Sequence, residues 1–302
     1  TAGWWIGTFH SMAARILRKH PELVGLKKQF SIIDTDDQVR LVKQALSYHN
    51  IDEKKWPARN IHASIQRWKD KGLNPGEAPE NNSTGEINVK KIYKTYQERL
   101  ITLNVVDYGD LLLHNINIFK TNPDILTIYQ NKFKYILVDE YQDTNVCQHT
   151  WLKLLAKKYK NICAVGDDDQ SIYSWRGAEV KNILKFGDTF ENTKLVKLEE
   201  NYRSTGNILE AANGLVKNNK MRLGKNLWTN GESGEKVTII NVSNSEEEAV
   251  TVSDLIESNF KKGKDLSSFA ILIRATYQTR FFEDRFIKIG LPYKIIGGTK
   301  FY

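Results

Sequence analysis

Two short apolar runs that each end in carboxylates constrain this chain more than any other feature. Tyr135-Ile136-Leu137-Val138 runs into Asp139-Glu140, and Ile162-Cys163-Ala164-Val165 runs into Gly166-Asp167-Asp168-Asp169-Gln170. A third run, Leu195-Val196-Lys197-Leu198, follows, and helical patterns over 147–159 and 178–186 lie between the runs. Buried strands alternating with helices predict a parallel α/β sheet. Ligands bind such sheets at the carboxyl ends of the strands, which is where each run delivers its polar residues.

The flanking regions read differently. Residues 9–20 form an amphipathic helix with a basic end, stopped by Pro21. Thr35-x-x-Gln38 reads as a capping box for a helix with Val39, Val42 and Leu46 on one face. Two more helices rich in Lys, Arg and Gln span 58–71 and 86–103, and the Pro- and Gly-containing stretch 72–83 between them reads as a mobile loop. Beyond a boundary near residue 200, a second α/β unit is expected. It has strands at 237–242, 269–273 and 293–296, a helix capped by Ser245-x-x-Glu248, and a helix over 278–289 ended by Gly290 and Pro292.

Composition narrows the classes. At 302 residues, with 40% apolar and 26% charged residues, the chain is a globular protein of about two domains rather than a disordered or fibrous one. No apolar run approaches the roughly 18 residues of a membrane span, so a membrane partner is not expected. Lys and Arg exceed Asp and Glu by 44 to 36, which favours a polyanionic partner. Cys147 and Cys163 form no CxxC pair, so neither a disulfide framework nor a zinc site is expected, and the compartment reads as reducing and cytoplasmic. Asn82-Ser83-Thr84 fits a glycosylation sequon, but we read it as a chance match.

The candidate chemistry sits at the strand ends. Asp139 can hold Mg²⁺ through water, and Glu140 can orient and deprotonate an attacking water. A solvated acidic turn gives the same pattern. Gln170 can bond a phosphate without adding charge, and Tyr173-Ser174-Trp175-Arg176 can stack bases and contact phosphate, unless the two rings are core residues. Arg203 can neutralise charge in a phosphoryl-transfer transition state and Tyr202 can stack on a base; a helix start with a surface arginine is the plainer alternative.

Together these segments resemble the UvrD/PcrA/Rep family of superfamily-one DNA helicases. The resemblance is carried by Thr8-Phe9-His10-Ser11, Asp107-Tyr108-Gly109-Asp110-Leu111, Asp139-Glu140-Tyr141-Gln142-Asp143-Thr144-Asn145, and the stretches 166–178, 200–205 and 297–302. It implies a RecA-like parallel-sheet motor domain (1–50 and 105–199), a helical insertion (51–104), and part of a second RecA-like domain (200–302). It implies ATP and Mg²⁺, and single-stranded DNA and single-strand/duplex junctions as partners, with repair proteins beside them. On this reading Asp139 coordinates Mg²⁺, Glu140 is the catalytic base, and Gln170 contacts the γ-phosphate. Arg203 is the arginine finger and Tyr202 packs on adenine. Phe9, His10, Tyr108, Tyr173, Trp175 and Arg176 line the single-strand path, and Arg274 touches the DNA backbone. Thr276 stands where the family often has Asn.

The chain departs from the family pattern at one point. No G-x-x-x-x-G-K-[ST] occurs; the two Gly-Lys pairs, Gly224-Lys225 and Gly263-Lys264, lack the spaced glycine. In the family the phosphate-cradling loop precedes the segment matching Thr8–Ser11, and later motifs follow residue 302. The chain therefore reads as a helicase fragment with negligible ATPase by itself. A helicase–nuclease module of the AddA/RecB kind and a non-catalytic single-strand-binding module are the alternative readings.

Overall fold

The computed structural model describes residues 4–80 and 88–297. The sequon, the end of the 72–83 stretch and most of the 297–302 motif lie outside the described residues. Two compact units are present: 1–204 together with 212–230, and 205–211 together with 231–302.

The first unit is assembled around β3 (Ile136–Val138) and β4 (Ile162–Ala164), which follow α1 (Phe9–Leu17), β1 (Ser31–Ile32), α2 (Thr35–Tyr48), α3 (Ala58–Asp70), α4 (Val89–Thr102), β2 (Val105–Val106), α5 (Tyr108–Thr121) and α6 (Pro123–Lys132). The connecting helix α7 (Val146–Ala156) makes β3 and β4 parallel, paired Ile136 to Ile162, Leu137 to Cys163 and Val138 to Ala164. Val138 is buried against α1, α5 and α7 in a core that includes Ile16, Leu17, Leu111, Trp151 and Leu155. Leu137 and Cys163, alternating with it, are exposed, so the strands bury one face rather than the two expected.

A second core explains the helical region. Val42, Ala45 and Leu46 of α2 pack with Ile61, Ile65 and Trp68 of α3 and with Ile92, Tyr93, Tyr96 and Leu100 of α4. Helix α2, assigned from sequence to the motor domain, therefore shares the core of the insertion. The chain leaves and re-enters this cluster through the parallel pair β1–β2 (Ser31 to Val105, Ile32 to Val106), which carries no sequence signal because each strand is two residues long. The stretch expected to be a mobile loop is pinned where it is described: Ala78 is buried, the Tyr93 hydroxyl donates to the Leu73 carbonyl at 3.0 Å, and Asn74 pairs with Asn117.

A buried ion cluster joins insertion and motor core. The Lys69 ammonium at the end of α3 donates to Asp107 (2.6 Å) and Asp110 (2.7 Å), and all three side chains are fully buried. Asp107 and Asp110 form the capping box of α5, the Tyr96 hydroxyl donates to Asp107 at 2.8 Å, and Gln97 donates to Asp110 at 2.9 Å. Burial opposes the charge on Lys69, but the two carboxylates outweigh it and raise its pKa; Lys69 in turn holds Asp107 low against its own burial. Gly109 packs closely here: a Cβ would stand 3.0 Å from two carbons of Lys69, so a side chain there would press on the buried lysine.

The caps differ from the sequence expectation by one residue. Asp34, not Thr35, caps α2 by accepting the Asp37 N–H, and Gln38 instead accepts from His62. After β4 come the short helices α8 (Lys181–Leu184) and α9 (Phe186–Thr189) rather than one helix, then α10 (Gly206–Val216).

The second unit contains α11 (Ser245–Lys261) and α12 (Thr279–Ile289), packed through Ala249, Ile256, Phe282 and Phe286. Asn244, not Ser245, caps α11, and Gly290 ends α12 with φ +70°. The strands expected at 195–198, 237–242, 269–273 and 293–296 do not pair into a sheet among the described residues, and Leu198, Ile239, Leu272 and Ile296 are exposed. A strand is stable only beside a hydrogen-bonding neighbour, and these apolar runs have none there. No helix is long and apolar enough to cross a membrane among the described residues.

Replacing Lys69 with Met leaves Asp107 and Asp110 buried without their cation. We expect a loss of about 3–5 kcal/mol in urea denaturation, against a near-neutral result if the cluster were solvated.

Candidate functional site

The in-register pairing of β3 and β4 brings their carboxyl ends together. The Val165 N–H donates to the Val138 carbonyl (2.8 Å) and the Tyr141 N–H donates to the Val165 carbonyl (2.9 Å), so the turn after each strand lies against the other. Asp139 and Glu140 are exposed on the first turn, where the Asp139 carboxylate accepts the Glu140 N–H at 2.9 Å. Glu140 has φ +50°, a left-handed conformation that side chains other than glycine rarely adopt.

Gln142 joins the turns. It is buried, its Nε2 donates to Glu140 Oε2 at 2.7 Å, and its Oε1 accepts the Asp167 N–H at 3.0 Å. Asp167 then accepts from Gln170 Nε2 at 2.7 Å. Glu140, Gln142, Asp167 and Gln170 thus form one continuous hydrogen-bonded chain, in which Gln142 is a member that the sequence reading gives no role.

The acidic run 167–169 is neutralised locally. Arg222 makes a two-pronged pair with Asp169 (2.9 and 2.6 Å), Asp168 accepts the Leu223 N–H at 2.7 Å, and Lys225 pairs with Asp167. Burial works against ionised Asp167, but the bonds from Lys225 and Gln170 prevail and lower its pKa. These carboxylates therefore anchor the segment 222–228. That segment also binds 199–201 through the Trp228 N–H to the Glu199 carbonyl (3.0 Å) and the Asn201 N–H to the Trp228 carbonyl (2.7 Å). The anchoring draws residues 200–204 and 212–230 into the first unit, although the sequence assigned them to the second domain. Lys225 was legible only as a Gly-Lys pair without a phosphate loop around it.

Two concavities result in the first unit. One, about 680 Å³, is lined by Gln170, Tyr202, Arg203 and Lys225 together with Asp167 and Asn201. Asn201 accepts the N–H groups of Arg203 (2.9 Å) and Ser204 (2.8 Å) and so shapes that turn. The Tyr202 ring is 85% exposed, and its hydroxyl donates to Glu200. The other, about 470 Å³, is mostly apolar and includes Asp139, Glu140, Asp143, Phe9 and His10 in its wall. Asp143 is pushed above the usual carboxylate range by burial and then by the charge of Glu140, and one of its buried oxygens has no partner. An acidic corner with an unsatisfied oxygen is one that a hydrated Mg²⁺ ion suits.

The stacking candidates divide. Trp175 is 64% exposed and Tyr173 37%, their ring centroids lie 6.5 Å apart, and the Arg176 guanidinium sits 4.6 Å from the Trp175 centroid and 5.4 Å from that of Tyr173. The rings are surface groups, not core. Tyr108 is also exposed, edge-on to His10 at 5.9 Å. Phe9 is half-buried, edge-on to Trp151 at 6.2 Å, because it shares a helix face with Ala13, Ile16 and Leu17. Arg274 lies exposed in the second unit, where its backbone N–H donates to the Gln278 side chain at 3.0 Å.

The insertion reaches this surface. Asp70, beside Lys69, accepts from Asn145 Nδ2 at 2.8 Å, and Gly177 (φ +88°) closes the aromatic turn so tightly that a Cβ would stand 2.7 Å from Asp70 Oδ2.

Residues 1–191 match the UvrD/REP helicase N-terminal domain, and residues 196–302 match the UvrD-like helicase C-terminal domain. The chain belongs to the UvrD-like helicase family. It is 52% identical over 302 residues to a probable DNA helicase II homologue of Rickettsia felis, covering 98% of this chain and 46% of that protein. It is 45% identical to DNA helicase II of Haemophilus influenzae (99% of this chain, 41% of that protein). It is 44% identical to ATP-dependent DNA helicase PcrA of Staphylococcus epidermidis, with the same coverage of each chain. The chain thus spans less than half the length of these relatives. Membership implies a RecA-like α/β fold, with which the parallel β3–β4 pair agrees.

Burial raises the pKa of Asp70 to about 6, with the Asn145 bond opposing. The folded state therefore binds this proton more tightly than the unfolded state. The resulting stability is fully present below the unfolded pKa and is lost as pH rises through about 6. We expect Asp70→Asn to be more stable than the wild type by about 3 kcal/mol at pH 8 and to match it near pH 3, measured by urea denaturation. A pH-independent difference would contradict this.

Proposed function

We propose that the whole protein carrying this chain is an ATP-dependent DNA helicase that moves 3′ to 5′ on single-stranded DNA and opens duplexes in repair or replication. The observation that carries the reading is the hydrogen-bonded chain from Glu140 to Gln170, which ends beside an exposed aromatic–cation turn. The relatives named above as DNA helicases support the same activity.

Each residue then has a task. Asp139 holds hydrated Mg²⁺, which when bound neutralises phosphate charge. Glu140 orients and deprotonates the attacking water. Gln170 bonds the γ-phosphate, Arg203 offsets transition-state charge, and Tyr202 packs on the adenine. Phe9, Tyr108, Tyr173 and Trp175 stack bases along the single-strand path, with His10 and Arg176 beside them. Arg274 contacts the DNA backbone from the second unit. Motor domain, helical insertion and partial second motor domain are the parts we assign to the chain.

Stacking contributes about 1–3 kcal/mol per base. Trp175→Ala should therefore weaken binding of a labelled oligothymidine by about tenfold in fluorescence anisotropy, with an affinity that falls as salt rises. Binding equal to the wild type would refute the stacking role, and full-length protein without DNA-stimulated ATPase would refute the activity.

A further inference from the structure

We propose that Gln142 is a positioning residue that fixes the carboxylate of Glu140 and couples its state to the Gln170 turn. The proposal deepens the function proposed above and rests on it for the role of Glu140.

The geometry leaves the side chain little else to do. Gln142 is 1% exposed, so its amide must find partners within the protein. It finds one on each turn: Glu140 Oε2 at 2.7 Å for its Nε2, and the Asp167 N–H at 3.0 Å for its Oε1. An amide is the side-chain group of this size that donates on one side while accepting on the other. A glutamate would set a second carboxylate against Glu140, and a methionine would offer neither bond.

The backbone around it has little freedom. Gly166 approaches so closely that a Cβ would stand 2.6 Å from Gln142 Oε1 and 3.1 Å from the Tyr141 nitrogen. The Tyr141 N–H is held by the Val165 carbonyl at 2.9 Å. Movement of the Glu140 carboxylate therefore passes through a rigid amide to the Asp167 backbone. Asp167 in turn holds Gln170 at 2.7 Å and is paired with Lys225. This route joins the group that handles water to the Gln170 amide through one buried link, Gln142.

Two measurements test it. In the chain itself, Glu140→Gln should displace the Asp167 backbone amide and the Gln170 side-chain amide resonances in ¹⁵N–¹H spectra. The same substitution made on a Gln142→Met background should leave both unmoved. Equal displacement on the two backgrounds overturns the coupling, whatever the enzyme does. In full-length protein, Gln142→Met should lower kcat of single-strand-stimulated ATP hydrolysis by about 10²-fold while KM for ATP stays near its wild-type value. Wild-type kcat in that variant overturns the positioning role. Absence of DNA-stimulated hydrolysis in the unsubstituted protein overturns instead the function on which the role rests, and the spectra then judge the relay alone.

Discussion

The parallel, in-register pairing of β3 with β4 is the constraint on which the rest of the site depends. A shift of one residue would turn Val138 out of the core and carry the Tyr141 N–H away from the Val165 carbonyl. With the register fixed, two turns that are 25 residues apart in sequence become neighbours, and a single buried amide can serve both. Glu140 accepts a left-handed backbone at this point, which costs on the order of 1 kcal/mol and is offset by the bonds that define the turn.

A second constraint comes from charge. Lys69 is committed to Asp107 and Asp110, and this binds the insertion to the first residues of α5, where Tyr108 begins. The next residue, Asp70, meets Asn145 and Gly177. One end of α3 thus touches the turn after β3, the aromatic turn and the start of α5. Burying an ion cluster is a weak way to add stability, but breaking one is costly, so the cluster specifies this arrangement more than it strengthens it.

Much of this is legible in the sequence. Apolar runs ending in carboxylates mark β3, β4 and their polar ends, and helical periodicity marks α1 to α4, α7, α11 and α12. The caps fall one residue early because Asp34 and Asn244 precede residues that fit the capping pattern equally well. The strands expected in the second unit do not pair among the described residues, since an apolar run signals burial but does not itself supply a pairing neighbour. The half-burial of Phe9 follows from the period of α1, which sets the ring on the face of Ala13, Ile16 and Leu17. Gln142 and Lys225 are not legible as site residues, since the partner they share, Asp167, is brought to both by tertiary structure rather than by spacing.

The most direct measurement is amide hydrogen exchange at Tyr141, Val165 and Asp167. These three N–H groups make the bonds between the two turns, to the Val165 carbonyl, the Val138 carbonyl and the Gln142 side chain respectively. All three should be protected together and exchange far more slowly than exposed loop amides. Exchange of Asp167 and Tyr141 at the rate of free peptide would mean that the turns do not meet and that Gln142 does not join them.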